Sequence, residues 1–375
     1  MRYIDEVEIK NQKVILRLDL NVPISEGKIT DDSRVVKSLT TINYLLKNNN
    51  SIIILSHLGR VKNREDKLNN SLKPVAKLLS DLLNTRVDFL ESPVGMDVIK
   101  KCKNLVPGDI VLLENTRYCD IPEKLESGND ENLARYWASL GDVFVCDAFG
   151  SLHRNHASVA GISKYLPTYF GLLVKEEITG LSGIINPVRP YAVFMGGAKV
   201  DDKIKYIEKL LPEVDYLLIG GGIANSFLYA CGYDIGDSLS TNDESTLEEL
   251  RNLVKTYKEK IVMPIDFNFD DTKIMDLGSK STAKYFNVLK DCKTIFVNGT
   301  CGKFEVDRFA KSTIDLFTAL REVDAYKVAG GGDTLNAINK YNLGDSFSFL
   351  SSGGGASLEY ISSKKLTAID YINSK

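Results

Sequence analysis

The sequence predicts an α/β protein of two lobes, each a parallel β-sheet flanked by helices in a Rossmann-like, three-layer αβα arrangement, joined by a hinge helix. Three observations carry this expectation. Short apolar or β-branched runs recur along the chain, each followed by a polar or glycine-rich break and then a stretch of helical period; strands buried on both faces and covered by helices read this way. A chain of 375 residues is long for one core and points to two domains or three. The residues that follow the runs also change character near the middle, from arginine and histidine in the first half to glycine in the second.

In the first half the strand-like runs are KVILRLDL, SIIILSH, DIVLLEN and DVFVCDAF. Between them Val35, Val36, Leu39, Ile42, Leu45 and Leu46 recur at helical spacing, and DENLARYWASLG runs from a cap at Asp130 to a stop at Gly141. The stretch LLVKEEITGLSGIINPVRP reads as a helix ended by Gly183, Pro187 and Pro190, a connector between halves. The second half repeats the alternation with YAVFM, YLLIG, KIVMPIDF, TIFVNG, YKVAG and FSFLSS. The expected division is a first lobe over 1–171, a connector over 172–190 and a second lobe over 191–357. A tail over 358–375 is expected to pack back on the first lobe.

Hydrophobic content of 43%, charged content of 26% and near balance of 47 basic against 50 acidic residues suit a globular protein. A net charge of −3 gives no argument for nucleic acid or an acidic membrane surface. The start MRYIDEVEIKNQK lacks a signal-peptide apolar region, and no run approaches the ~20 apolar residues of a membrane span. A cytoplasmic, monomeric protein acting on small molecules is the expectation. Six cysteines occur without a C-x-x-C pair or zinc-site spacing to the histidines and read as buried or indifferent thiols.

Ligands of open parallel sheets bind beyond the carboxyl ends of the strands. In the first half those ends carry Asp19 and Asn21, then Ser56, His57 and Arg60, then Glu114, Asn115 and Arg117, then Asp147, His153, Arg154 and His156. Arg34 opens a predicted helix nearby. Arginine and histidine gathered at one sheet edge form a cup for a small, dense anion, because guanidinium forks match phosphate and carboxylate. A zinc reading of His153 and His156 is opposed by the adjacent Arg154.

In the second half the ends are GGAK (196–199), GGGIAN (220–225), VNGTCG (297–302), GGGDT (330–334) and SGGGAS (352–357). Glycine runs between a strand and a helix start expose backbone N–H groups that hold phosphates. GTCGK is no P-loop, since Val297 stands where its first glycine belongs, and no G-x-G-x-x-G with a trailing acid occurs. The expectation is a nucleotide held by another scheme. Lys199 and Lys203 share a helix face if the helix has begun by Ala198, with Val200, Ile204, Ile207 and Leu211 as its buried stripe. Asp333 reads either as a Mg²⁺ ligand or as a helix N-cap.

Together RLDLNVP, SHLGR, LLENTRY, DAFGSLHRNHAS, GGAKVDDKI, IGGGIANSF, VNGTCGKFE, GGGDT and SSGGGASLE, in this order over nearly the whole chain, resemble the phosphoglycerate kinase family. The resemblance implies a first lobe that binds 3-phosphoglycerate and a second that binds Mg²⁺ with ATP or ADP, for reversible phosphoryl transfer in glycolysis. It places Asp19, Asn21, Arg34, His57, Arg60, Arg117 and Arg154 on the triose. Lys203, Gly278, Glu305, Gly331, Gly332, Asp333 and Thr334 fall on the nucleotide, Asp333 as metal ligand, with Arg34 and Lys199 catalytic. It further implies that the reactants meet when the lobes close. The chain departs from the family at Val297, Thr300 and Cys301, where WNGPxG is usual, at Val61 and Asn155, and in the tail after SLE. A catalytically silent paralogue, or a kinase for another small carboxylic acid, is the alternative reading.

Overall fold

The computed structural model describes residues 1–198 and 200–374. The chain divides into two compact units, Met1–Ile178 with Lys365–Lys375, and Thr179–Lys364. The division falls inside the helix Leu172–Ile185.

The strands in chain order are β1 (Lys13–Leu18), β2 (Ile24–Ser25), β3 (Lys28–Ile29), β4 (Ser51–Leu55), β5 (Val87–Leu90), β6 (Ile110–Leu113), β7 (Val143–Asp147) and β8 (Thr168–Phe170) in the first unit. The second holds β9 (Tyr191–Met195), β10 (Tyr216–Ile219), β11 (Ile261–Val262), β12 (Phe267–Asp270), β13 (Lys273–Leu277), β14 (Thr294–Asn298), β15 (Tyr326–Gly330) and β16 (Phe349–Ser351). The first unit's six-stranded sheet is ordered β5-β6-β4-β1-β7-β8, the second's β11-β10-β9-β14-β15-β16, with β2–β3 and β12–β13 as separate two-stranded ribbons. Every pairing in the two large sheets is parallel. Each sheet therefore has its first strand inside, flanked by its second strand on one side and a late strand on the other. The carboxyl edge beside β1/β7 and beside β9/β14 is a topological switch point, where the two flanking connections leave in opposite directions and open a crevice.

Burial explains the strands. Val14, Ile15, Leu16, Ile52, Ile53 and Ile54 are fully buried, and each such side chain contributes roughly 1.5–3 kcal/mol of transfer free energy. The helix Ser33–Lys47 buries Val35, Ile42 and Leu45, while Val36 of the same apolar set faces outward. Asp130 caps the helix Glu131–Ala138 by accepting the Leu133 N–H at 2.8 Å. Among the described residues no helix is long and apolar enough to cross a membrane.

Three expectations about elements change. Gly183 lies within the helix Leu172–Ile185 instead of ending it, because the ring of Tyr326 occupies the space a Cβ would need. KIVMPIDF yields only the two-residue β11, since Pro264 cannot donate to a ladder, and the chain turns into the β12–β13 ribbon. The helix after GGAK begins at Ile204, with Lys203 as its N-cap. Lys203 therefore sits on the turn before the helix, the buried residues are Val200, Tyr206, Ile207, Leu210 and Leu211, and Ile204 is only half-buried.

Candidate active site

The first unit gathers its charged side chains by making the strand ends hold one another. Ser56 after β4 accepts the Leu20 N–H after β1 at 2.9 Å. Asn21 accepts the Gly59 N–H at 2.8 Å, and the Gly59 carbonyl accepts from Arg117. Asn115 donates to the carbonyls of Leu58 and Asn70 at 2.7 and 2.8 Å, and Glu114 receives the Leu72 N–H at 2.8 Å. Ser56, Glu114 and Asn115 are thus buried struts that set the loops. Arg60, Arg117 and Arg154 follow those strand ends.

Arg60, Arg117 and Arg154 line one cavity of about 460 Å³, joined by Lys62, Lys124 and His156. Arg34 pairs with Asp19 at 3.2 Å and donates to the Asn21 carbonyl at 3.2 Å. Burial lowers the Arg154 pKa, partly opposed by Asp19 and reinforced by Arg60 and Arg17. Arg117 is lowered by burial and then by Arg154 and Arg17. So many like charges at one edge are unfavourable unless an anion joins them.

His57 is buried, and its Nδ1 lies 3.1 Å from a guanidinium nitrogen of Arg17. Guanidinium only donates, so Nδ1 is the acceptor and the proton of the neutral ring is on Nε2. Burial, then Arg17, Arg117, Arg154 and His156, push its pKa well below 6.5. His57 is a neutral donor at physiological pH. His153 accepts from Arg154 Nε at 3.0 Å, so it aims that guanidinium, while His156 lines the cavity 3.7 Å from Glu126. Among the described residues no three or more His, Cys, Asp or Glu side chains are placed to hold a metal.

The sequence reading missed Arg17, Glu126 and Ser158, all fully buried behind this edge. Arg17 interrupts an otherwise apolar strand in VILRLDL, a position a strand covered on both faces gives to Val, Ile or Leu. That interruption was the available signal. Glu126 and Ser158 carried none.

The second unit builds its edge from backbone. A Cβ at Gly196 would meet the Thr300 backbone, one at Gly222 the Ala198 backbone, and one at Gly299 the Gly196 backbone. These glycines let three loops interlock. Gly332, Gly354 and Gly355 have nothing within 4 Å of a Cβ position, and they sit at the starts of the helices Gly332–Lys340 and Gly355–Ser363. There the chain leaves room beside unsatisfied N–H groups, where an anion fits. VNGTCG differs, because the helix after it begins only at Lys311.

Lys203 Nζ donates to the Gly196 carbonyl at 2.7 Å and to Asn298 Oδ1 at 2.6 Å, directly at the β9/β14 switch point. Burial lowers its pKa to about 8, against the raising influence of Asp333 and Asp202. Thr334 is buried and spent on a latch, accepting the Gly299 N–H at 2.6 Å and donating to the Gly330 carbonyl at 2.9 Å. Gly331 is the N-cap of its helix, and Asp333 lies exposed in the first turn, so the N-cap reading of Asp333 falls away. Glu305 is exposed, and its carbonyl accepts from Lys340 at 3.0 Å, tying its loop to the same helix. Gly278 caps the helix Ser279–Leu289 and lies against Asp266. Lys199 lies outside the described residues.

The comparisons with known proteins agree with this geometry. Residues 4–364 match the family model described as phosphoglycerate kinase. The phosphoglycerate kinase of Macrococcus caseolyticus is 42% identical over 395 residues, covering 100% of this chain and 99% of its own. That of Lactobacillus acidophilus is 43% identical over 400 residues, with 99% of each chain covered. The solved phosphoglycerate kinase of Coxiella burnetii superposes with a TM-score of 0.85 at 36% identity, over 99% of this chain and 98% of that one. The chain belongs to the phosphoglycerate kinase family, phosphotransferases with a carboxyl group as acceptor that move a phosphoryl group reversibly between 1,3-bisphosphoglycerate with ADP and 3-phosphoglycerate with ATP.

Proposed function

We propose that the first unit's cluster holds the triose and the second unit's glycine loops hold the nucleotide. The observation that carries this is the convergence of Arg60, Arg117 and Arg154 on one cavity at the carboxyl edge of a parallel sheet. Asp19, Asn21, Arg34, His57, Arg60, Arg117 and Arg154 are the triose contacts in this reading. Lys203, Gly278, Glu305, Gly331, Gly332, Asp333 and Thr334 form the nucleotide site, and Arg34 and Lys199 are catalytic.

The chemistry asks for positioning and charge neutralisation. The accepting atom is a carboxylate oxygen, already ionised at neutral pH, so no general base is required. His57, held neutral by burial and by Arg17, donates from Nε2 without a protonation step. Arg34 and Lys199 neutralise charge on the group in flight. Asp333 offers an exposed hard oxygen, among the described residues without a surrounding carboxylate cage, which fits Mg²⁺ shared with nucleotide phosphates. That ion, when bound, supplies neutralisation of the phosphate oxygens. A monomeric, cytoplasmic enzyme that binds neither nucleic acid nor membrane is part of the same proposal, and light scattering tests the monomer.

The deciding experiment is a coupled assay with Mg-ATP against 3-phosphoglycerate and several other small carboxylic acids, repeated in Arg60→Ala. Turnover restricted to 3-phosphoglycerate, with its KM raised in the variant and the KM for ATP unmoved, is expected. Turnover of another acid in preference, or a KM effect confined to ATP, would overturn the assignment.

A further inference from the structure

We propose that Glu126 is a positioning residue for the triose site, acting through Ser158 and Arg17 to hold His57 in the tautomer protonated on Nε2. The inference rests on the reading that His57 and Arg154 face the triose.

A single chain of donors and acceptors runs from the buried carboxylate to the imidazole. Glu126 receives the Ser158 N–H at 2.9 Å on one oxygen and the Ser158 hydroxyl on the other, and its backbone carbonyl receives the Ala157 N–H at 2.9 Å. Having given its proton to Glu126, the Ser158 oxygen is left to accept, and Arg17 Nε donates to it at 2.9 Å. Arg17 then donates to His57 Nδ1 at 3.1 Å. A guanidinium has no acceptor and a carboxylate no proton, so every proton in the relay has one possible owner. Moving the His57 proton to Nδ1 would set an N–H against an N–H.

Charge gives the relay its direction. Arg17 is fully buried, and a buried guanidinium without a counter-charge is costly. Burial lowers its pKa, and the charges of Glu126 and Asp19 oppose that. Glu126 is itself pushed up by burial, but His156, Arg17 and Ser158 outweigh that and keep it below the usual glutamate value. A buried ion pair is weak evidence for stability alone. This one ends on a histidine of the functional edge, not on a core strut.

Imidazole ¹⁵N spectroscopy reads the relay directly, since the chain has only three histidines. In the wild-type chain His57 should show a protonated Nε2 and an unprotonated Nδ1. In Glu126→Gln and in Ser158→Ala the second tautomer should appear, and the KM for 3-phosphoglycerate should rise about tenfold, the scale of one lost buried hydrogen bond to a charged group, with the KM for ATP unchanged. If Glu126→Gln does not fold, Ser158→Ala decides alone. A folded Ser158→Ala with wild-type imidazole shifts, or with moved shifts but an unchanged KM for 3-phosphoglycerate, overturns the proposal. Arg154→Ala in the same assay separates the two levels. If it raises that KM and Ser158→Ala does not, only the relay fails; if it does not, the triose reading fails and the relay's role falls with it.

Discussion

In the proposed function the two units solve one problem, holding a dense anion at the edge of a parallel sheet, by opposite means. In the first unit the carboxyl edge is furnished with side chains: Arg60, Arg117 and Arg154 line the cavity, and Arg17 and Glu126 are buried behind it. In the second the edge is furnished with backbone: interlocked glycines, open helix starts, and Lys203 at the switch point. Guanidinium clusters bring fixed charge and bidentate shape, at the cost of mutual repulsion and burial. Backbone amides and helix starts bring shape with little charge, and need only that no side chain intrude. The difference makes the two sites vulnerable to different changes.

The largest expected effect comes from removing the cation assigned to the moving group. Lys199→Ala should lower kcat by roughly 10²-fold or more with both KM values near wild type, the scale of one preorganised electrostatic stabiliser. In the first unit Arg34→Lys should also lower kcat, by less, because a single guanidinium nitrogen makes the bonds to both Asp19 and the Asn21 carbonyl, leaving the rest of the fork for the moving group, and one ammonium cannot serve both. Steady-state kinetics of both variants check this. An unchanged kcat in Lys199→Ala would leave the second unit as a binder built from backbone and Lys203 alone.

A glycine pair sharpens the backbone side of the comparison. Gly331 has φ +103, and its Cβ would lie 2.7 Å from Asn298 Nδ2. Gly331→Ala should therefore cost about 1–3 kcal/mol of stability. Its neighbour Gly332 has an ordinary φ and open space. Gly332→Ala should leave the melting temperature unchanged or slightly raised, since alanine is the better helix residue by about 1 kcal/mol, yet raise the KM for ATP by crowding the phosphates. Thermal unfolding of the free proteins and ATP titrations separate the two. Equal behaviour would mean that the open space at Gly332 is not a ligand's.

The same contrast explains what could be read in advance. Continuous apolar runs identify strands buried on both faces, and the residues past them are loop residues by position, so the placement of Asp19, His57, Arg117 and Arg154 beyond the strands is legible from spacing alone. The cap at Asp130 was visible because its partner is three residues away. Ser158, by contrast, lies 32 residues from Glu126 and 141 from Arg17, and no periodicity encodes a contact of that range. Composition cannot distinguish a crowded glycine from an open one: Gly196 and Gly299 serve loop against loop, whereas Gly332 and Gly355 leave space. The start of the helix at Ile204 is hidden in the sequence because Val200 continues the apolar stripe into a turn that is not yet helix.

The smallest effect is also the one that best divides the units, because arginine and lysine titrate differently. Lys203 in the free protein has its pKa lowered to about 8. Below that pH the ammonium has three donors, and among the described residues two are engaged, with the Gly196 carbonyl and Asn298. Above it the amine keeps two donors, both already engaged, and loses its charge. The KM for ATP should therefore be level below pH 8 and rise above it by up to about tenfold per unit. Nucleotide binding near pH 8.5 should take up a proton, visible calorimetrically in buffers of different ionisation enthalpy. The KM for 3-phosphoglycerate should stay level over the same range, since burial lowers the Arg117 and Arg154 pKa values without bringing arginine near neutrality, and His57 is already neutral. A KM for ATP that stays flat to pH 9 with no proton uptake would remove Lys203 from the phosphate site and leave the second unit's affinity to its backbone.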